Sequence, residues 1–205
     1  SVTPPLTKWF EKIIHARMRE FLKDFPNMFR RQSGWQKKRG TQEALFDAVH
    51  HVRVAQHKNQ CVGFIKMDLR KFFDTIDRKK LWIKMEELGF KGKLLEWIKQ
   101  HMNDIRYFVR TNDSKSTMAQ HQIGIPQGSI LSPVLAAIFT EDAPDMIMNN
   151  HIWLHQMDEH KMNTEVFASQ FADDNSIVIT GNSENKINQE KTALIRRCKL
   201  RGRLT

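Results

Sequence analysis

Cysteine is nearly missing from this chain of 205 residues. The two present, Cys61 and Cys198, are too few for a disulfide framework and suggest a reducing compartment. No run comes near the roughly 18 apolar residues that a membrane span needs, and the first residues carry no signal-peptide pattern, so a soluble domain with no membrane contact is expected. Repeats and low-complexity tracts are lacking too, which argues against a solenoid. Acid is in deficit: 23 Asp and Glu against 33 Lys and Arg leave a net charge of +10, and a polyanionic partner is expected. Basic surfaces also occur on proteins that never touch nucleic acid, so function has to be read from motifs.

The acids that are present include an informative pair. Phe171-Ala172-Asp173-Asp174 lies between two short β-type runs, Val166 to Phe171 and Ile177 to Thr180, which read as the arms of a hairpin with the acids in its turn. Like charges held so close repel, and one carboxylate is pushed toward protonation unless a cation offsets them. Asp-Asp in a loop is most often a plain solvated turn. A second hydrophobic run, Val62 to Met67, changes the weight by delivering Asp68 at its far end. Three converging acids hold metal ions, and hard oxygen ligands suit magnesium, which keeps several waters and takes substrate phosphates. The order strand-acid, then hairpin-acid-acid, suggests two ions roughly 3.5–4 Å apart that clamp an in-line phosphoryl displacement. Nucleotidyl transfer is the reaction class that follows.

The third element is Gly124-Ile125-Pro126-Gln127-Gly128-Ser129-Ile130-Leu131-Ser132-Pro133, a turn ahead of the helix-like run Val134 to Phe139. Glycines let backbone approach a ligand closely, and Ser132-Pro133 fits a helix start. By itself this is a loop-to-helix junction; beside the three acids it reads as a substrate platform.

These segments, Lys66 to Asp77, Gly124 to Pro133 and Phe171 to Asp174, resemble motifs A, B and C of reverse transcriptases in their order along the chain. The likeness is strongest to non-LTR retrotransposons, jockey-type LINE elements above all. Phe10-Glu11-Lys12-Ile13-Ile14-His15, Gln32-Ser33-Gly34-Trp35 and Thr140-Glu141-Asp142-Ala143-Pro144 are similar to segments of that group, so the resemblance covers nearly the whole chain. It implies an α+β polymerase palm, an antiparallel sheet with packed helices: part of the fingers over 1–61, the palm over 62–205, and no thumb. The implied activity is RNA-directed DNA synthesis with an RNA template, a DNA primer and dNTPs, using Mg²⁺ or, as a substitute, Mn²⁺. In this scheme Asp68 and Asp173 bind both metals, Asp174 supports the site and the Leu69 carbonyl completes a shell. Gln127 and Gly128 line the nucleotide pocket.

Phe73, five positions after Asp68, stands where the resemblance puts the side chain beneath the incoming sugar. A ring there takes the space of a ribose 2′-hydroxyl, so DNA synthesis is favoured over RNA synthesis; the bland reading makes Phe72 and Phe73 ordinary core aromatics. Trp35 and Phe72 depart from the family's usual Phe and small residue, and neither removes a metal ligand. The first residues resemble the segment just after an Arg-Pro-Ile motif, and 187–205 resembles the helix leading into motif D. Motif D, motif E and the thumb are therefore expected to belong to missing segments of a parent polyprotein, along with part of the fingers. For such a parent an intracellular location, nuclear and cytoplasmic, is expected. The rivals are a catalytically inactive nucleic-acid-binding relic, an RNA-dependent RNA polymerase and a merely structural domain.

The remaining periodicity is helical or hairpin-like. Phe10, Ile13, Ile14, Met18, Phe21, Leu22 and Phe25 form a core stripe closed by Pro26. The basic loop Arg30-Arg31 and Lys37-Lys38-Arg39-Gly40 lies on the template path by resemblance and leads to a helix with Thr41 as its expected cap and Leu45, Val49 and Val52 on one face. Lys79 to Leu88 and Lys93 to Met102 read as helices, and Arg106 to Thr111 with Met118 to Ile123 as a hairpin. In the polar stretch 149–165, His151 and His155 have a zinc-like spacing but no convincing third ligand, so an exposed connection is the better reading.

Overall fold

The computed structural model describes residues 4–36, 39–69, 71–120, 123–149 and 164–200. Lys37, Lys38, His151 and His155 lie outside the described residues. In chain order the elements are α1 (Pro5–Leu22), α2 (Thr41–His57), β1 (Cys61–Met67), α3 (Phe72–Thr75), α4 (Arg78–Glu87), α5 (Gly92–Asn103), β2 (Arg106–Tyr107), β3 (Ala119–Gln120) and α6 (Ser132–Thr140). A helix α7 over 143–149 follows, then β4 (Thr164–Phe171), β5 (Asp174–Gly181) and α8 (Glu184–Leu200). Among the described residues no helix is long and apolar enough to cross a membrane. The chain forms two compact units, one from Ser1–Pro26 with Lys71–Phe139, the other from Asn27–Arg70 with Thr140–Thr205.

The second unit is built on a three-stranded antiparallel sheet in the order β1-β5-β4. Its central strand reads Ile177-Val178-Ile179, all buried, because a strand covered on both faces needs apolar residues without alternation. On one face Ile65, Val166, Ala168, Ile177 and Ile179 pack with Ile147 of α7 and with Ile187 and Leu194 of α8. The other face carries Phe167, on which the His51 ring of α2 stacks with centroids 3.6 Å apart. That contact corrects the face expected for α2. Leu45 and Val49 are 64% and 39% exposed, while Ala48 and Ala55 are buried. Small alanines let the helix come close to the sheet, and the ring stack fills the space that longer aliphatics were expected to fill. The cap differs as well: Gly40 precedes the helix and gives its N–H to the Glu43 carboxylate at 2.7 Å, with Thr41 the first helical residue.

The first unit is mostly helical. Met18, Leu81, Met85, Leu95, Ile98, Met102, Ile125, Leu131, Leu135 and Ile138 are buried in it. The buried line of α1 is Glu11, Ile14, Met18 and Leu22, so the expected stripe is rotated and Phe10 and Ile13 are exposed. The reason is Glu11, a carboxylate whose partners lie inside and which therefore takes a core position. Asp77 caps α4, its Oδ1 accepting from the N–H groups of Lys79 and Lys80 at 2.9 and 3.3 Å. The hairpin after α5 is shorter than its pattern suggested: two ladder pairs between β2 and β3, then a bridge from Arg110 to Lys115.

Candidate active site

In the second unit, sheet register brings the acids to one end. The β1–β5 ladder closes on Met67 opposite Asn175, so Asp68 and Asp174 each lie one residue beyond that pair. On the other side Phe171 pairs with Asp174, so only Asp173 of the two acids lies in the expected turn, with Ala172 at φ 57°, and Asp174 is the first residue of β5. Asp68 is exposed. The side chains do not close on one point: among the described residues no group of three or more His, Cys, Asp or Glu could hold a metal ion. Three carboxylates without counter-charge repel, and Lys66 Nζ stands 3.3 Å from Asp174 Oδ2. As donors, the three carboxylates and the Leu69 carbonyl are all hard oxygens of the type that divalent cations take.

The acidic turn has a brace that periodicity did not reveal. Ser33 N–H donates to the Gln170 carbonyl and Gln170 N–H to the Arg31 carbonyl, both at 2.8 Å, which lays residues 31–33 beside β4. Between them the Gln32 side chain is buried. Its Oε1 accepts from Ala172 N–H at 2.9 Å and Gly34 N–H at 2.8 Å, while Nε2 donates to the Ala172 carbonyl at 3.1 Å. A Cβ on Gly34 would run into the Ala172 backbone nitrogen, so this close approach requires glycine. The Gln32 to Trp35 segment entered the resemblance without a role; its partner is 140 residues away in sequence, beyond any local pattern. Of the basic loop, Arg39 donates to the carbonyls of Phe29 and Arg30 at 3.1 and 2.9 Å.

The first unit holds the glycine turn and the Phe73 segment together. Ile125 N–H donates to the Phe73 carbonyl at 2.7 Å and Gly124 N–H to the Ile76 carbonyl at 3.0 Å. Gly124 has φ +75°, and a Cβ there would sit 2.5 Å from the Phe73 carbonyl oxygen. Phe72 is buried as a core aromatic, and Phe73, its ring 5.4 Å away between centroids, is half-buried. Gln127 and Gly128 are exposed at the turn's tip. Directly after them Glu11, 1% exposed, accepts from Ser129 Oγ at 2.9 Å and Ile130 N–H at 2.8 Å, with His101 Nε2 at 2.8 Å. Burial pushes this carboxyl up, but the hydrogen bonds from His101, Ile130 and Ser129 outweigh it and hold the group below the usual carboxylate value. Ser132 Oγ closes the turn on the Pro126 carbonyl at 2.6 Å. Glu11 was also missed; an acid on the apolar side of a helical stripe is the signal that would have found it.

A family model described as reverse transcriptase (RNA-dependent DNA polymerase) matches residues 1–202. The RNA-directed DNA polymerase from the mobile element jockey of Drosophila melanogaster is 27% identical over 187 residues, 89% of this chain and 19% of that protein. Its counterpart from Drosophila funebris is 29% identical over 148 residues, 71% of this chain and 16% of that protein. The chain thus spans about a fifth of the length of the curated relatives it matches. Among solved structures, an apo telomerase from Candida tropicalis superposes with a TM-score of 0.62 at 12% identity, covering 94% of this chain and 38% of that one. A telomerase from Candida albicans gives 0.55 at 12% identity over 89% of this chain and 31% of that one. At such identity the likeness speaks for the fold alone, and that fold is the α+β arrangement of a polymerase palm. On the evidence of motifs in order, an acid-tipped antiparallel sheet and a family match over almost its whole length, the chain belongs to the reverse transcriptase family of RNA-dependent DNA polymerases.

Proposed function

We propose that the whole protein is the RNA-directed DNA polymerase of a non-LTR retrotransposon, extending a DNA 3′-end on an RNA template with dNTPs. The observation that carries this reading is the register of β1, β5 and β4, which delivers Asp68, Asp173 and Asp174 to one end of one sheet. Asp68 and Asp173 would hold divalent metal, Mg²⁺ by donor type, with Asp174 in support and the Leu69 carbonyl adding a main-chain oxygen. A divalent ion held by these residues would lower the pKa of the primer 3′-hydroxyl and offset the charge of the triphosphate and departing pyrophosphate. Lys66, 3.3 Å from Asp174 Oδ2, serves as its counter-charge. Phe73 excludes the ribose 2′-hydroxyl, while Gln127 and Gly128 line the incoming nucleotide. Residues 1–61 act as fingers and 62–205 as palm, a division of function that cuts across both compact units. Lys37, Lys38 and Arg39 contribute positive charge along the template.

The test is Mg²⁺-dependent extension of a DNA primer on an RNA template by the whole protein and its Asp173→Asn variant. Extension with dNTPs that the variant loses is the expected result. An inert protein that still binds RNA in a salt-sensitive manner would instead make this a nucleic-acid-binding relic.

A further inference from the structure

We propose that Arg78, a residue with no place in the nucleotide pocket, sets the sugar selectivity of the enzyme by locking the Phe73 segment to the Gly124 turn. The inference rests on the reading of Phe73 as the sugar gate. A gate works only if its ring is held at a fixed distance from the groups that hold the nucleotide; a shift of an ångström opens room for a hydroxyl. Here the ring rides on α3, which has four residues and starts from Lys71 at φ 52° with no side-chain cap. A single turn of helix has no stability of its own, so its position is decided by what it docks on.

Its docking partner is the turn that carries Gln127 and Gly128. Two backbone hydrogen bonds join them, Ile125 to Phe73 and Gly124 to Ile76. Arg78, two residues past Ile76 and only 8% exposed, adds the third tie: Nε donates to the Gly124 carbonyl at 2.6 Å. One of its terminal nitrogens reaches Asn103 Oδ1 at 3.3 Å at the end of α5, and the Asn103 carbonyl in turn accepts from Gln120 Nε2 at 2.9 Å. The guanidinium thus ties the segment that carries the gate to the turn that carries the platform and to the end of α5. Its fork geometry is what makes this possible, since a lysine ammonium cannot present two fixed donors at that spread. Burying a guanidinium is costly, and a well-packed apolar residue would fill the same space more cheaply, so stability alone is a poor reason to keep it there.

The measurement is kcat/KM for single additions of a dNTP and of the matching NTP by the whole protein, with Phe73→Val, Arg78→Met and Arg78→Lys. The ratio of the two efficiencies does not depend on how much protein is folded, so a merely structural role for Arg78 lowers both efficiencies and leaves the ratio alone. Arg78→Met is expected to lower the dNTP preference by about tenfold, the factor that one charged hydrogen bond of positioning represents. Arg78→Lys, which keeps the charge and is the milder change should Arg78→Met fold poorly, is expected to fall in between. If Phe73→Val admits NTPs while both Arg78 variants keep the wild-type ratio, the inference is overturned and the gate stands. If Phe73→Val leaves the ratio unchanged, the gate reading fails and takes the inference with it.

Discussion

Two turns carry the candidate chemistry, one in each compact unit, and they are held by opposite means. The acidic turn at Ala172 and Asp173 is braced by a neutral group, the buried Gln32 amide, and the charges beside it stay accessible: the side chains of Asp174 and Lys66 are 40% and 62% exposed. The glycine turn at 124–133 is braced by buried charge, Glu11 on one side and Arg78 on the other, while its tip at Gln127 and Gly128 is uncharged and exposed. Under the proposed function the acids have to meet a cation and so stay accessible, and a neutral brace does not compete with them for the same ligands. Charge used only as scaffold can be buried, where each hydrogen bond to it is stronger than in water.

Breaking the accessible side should cost chemistry and spare the fold. Asp173→Asn removes the charge proposed to hold metal from a half-buried turn; primer extension should fall by about 10³-fold or more, as when a group that stabilises transition-state charge is lost. The thermal midpoint should stay at the wild-type value, and a large drop in it would mean that the acids are structural.

The buried side should behave in reverse. Glu11→Ala leaves Ser129 Oγ, Ile130 N–H and His101 without their shared acceptor, and a loss of about 3 kcal/mol in urea unfolding is expected. The pH dependence has a definite sign. Because the folded protein holds Glu11 below its ordinary value, the unfolded chain binds more protons in that window. Stability from Glu11 is therefore complete above the ordinary carboxylate value and is lost as the pH falls through the folded one. Glu11→Gln should flatten the acid limb of stability against pH; an unchanged limb would show that the carboxylate is not what titrates there.

Gly34→Ala probes the brace rather than the acids. A methyl group forced against Ala172 should displace the turn, and extension should fall by about 10²-fold, the cost of an ångström of misplacement. Loss of folding without an earlier loss of activity would place Gly34 in the core instead. The smallest effect belongs to Lys66→Met. The pair with Asp174 is exposed and screened, so stability should change by less than about 1 kcal/mol, and a larger loss in chemical denaturation would contradict the description of that end as open.

The main strands and several helices were legible because burial imposes a period: the runs expected at 62–67, 166–171 and 177–180 lie within β1, β4 and β5, and the helices expected around 79–88 and 93–102 match α4 and α5. Helix faces were legible only in part: Ile14, Met18 and Leu22 of the expected α1 stripe are buried, but the rest differs. In α1 the expected stripe ignored Glu11, and in α2 the larger aliphatics lost to Ala48 and Ala55. Periodicity ranks residues by apolarity, whereas a helix buries the side that fits its neighbour, and a small residue or a satisfied charge can fit better than a large aliphatic one.

By itself the sequence determined the motifs, their order and the family, because adjacent carboxylates after a β-run and a glycine turn before a helix are local patterns that chemistry keeps together. Only the tertiary structure decided what holds those motifs in place. Gln32 reaches Ala172 across 140 residues, Glu11 reaches Ile130 across 119 and Arg78 reaches Gly124 across 46. Hydrogen bonds of that span leave no periodic trace, since the partners meet only after the chain has closed loops far longer than any local pattern.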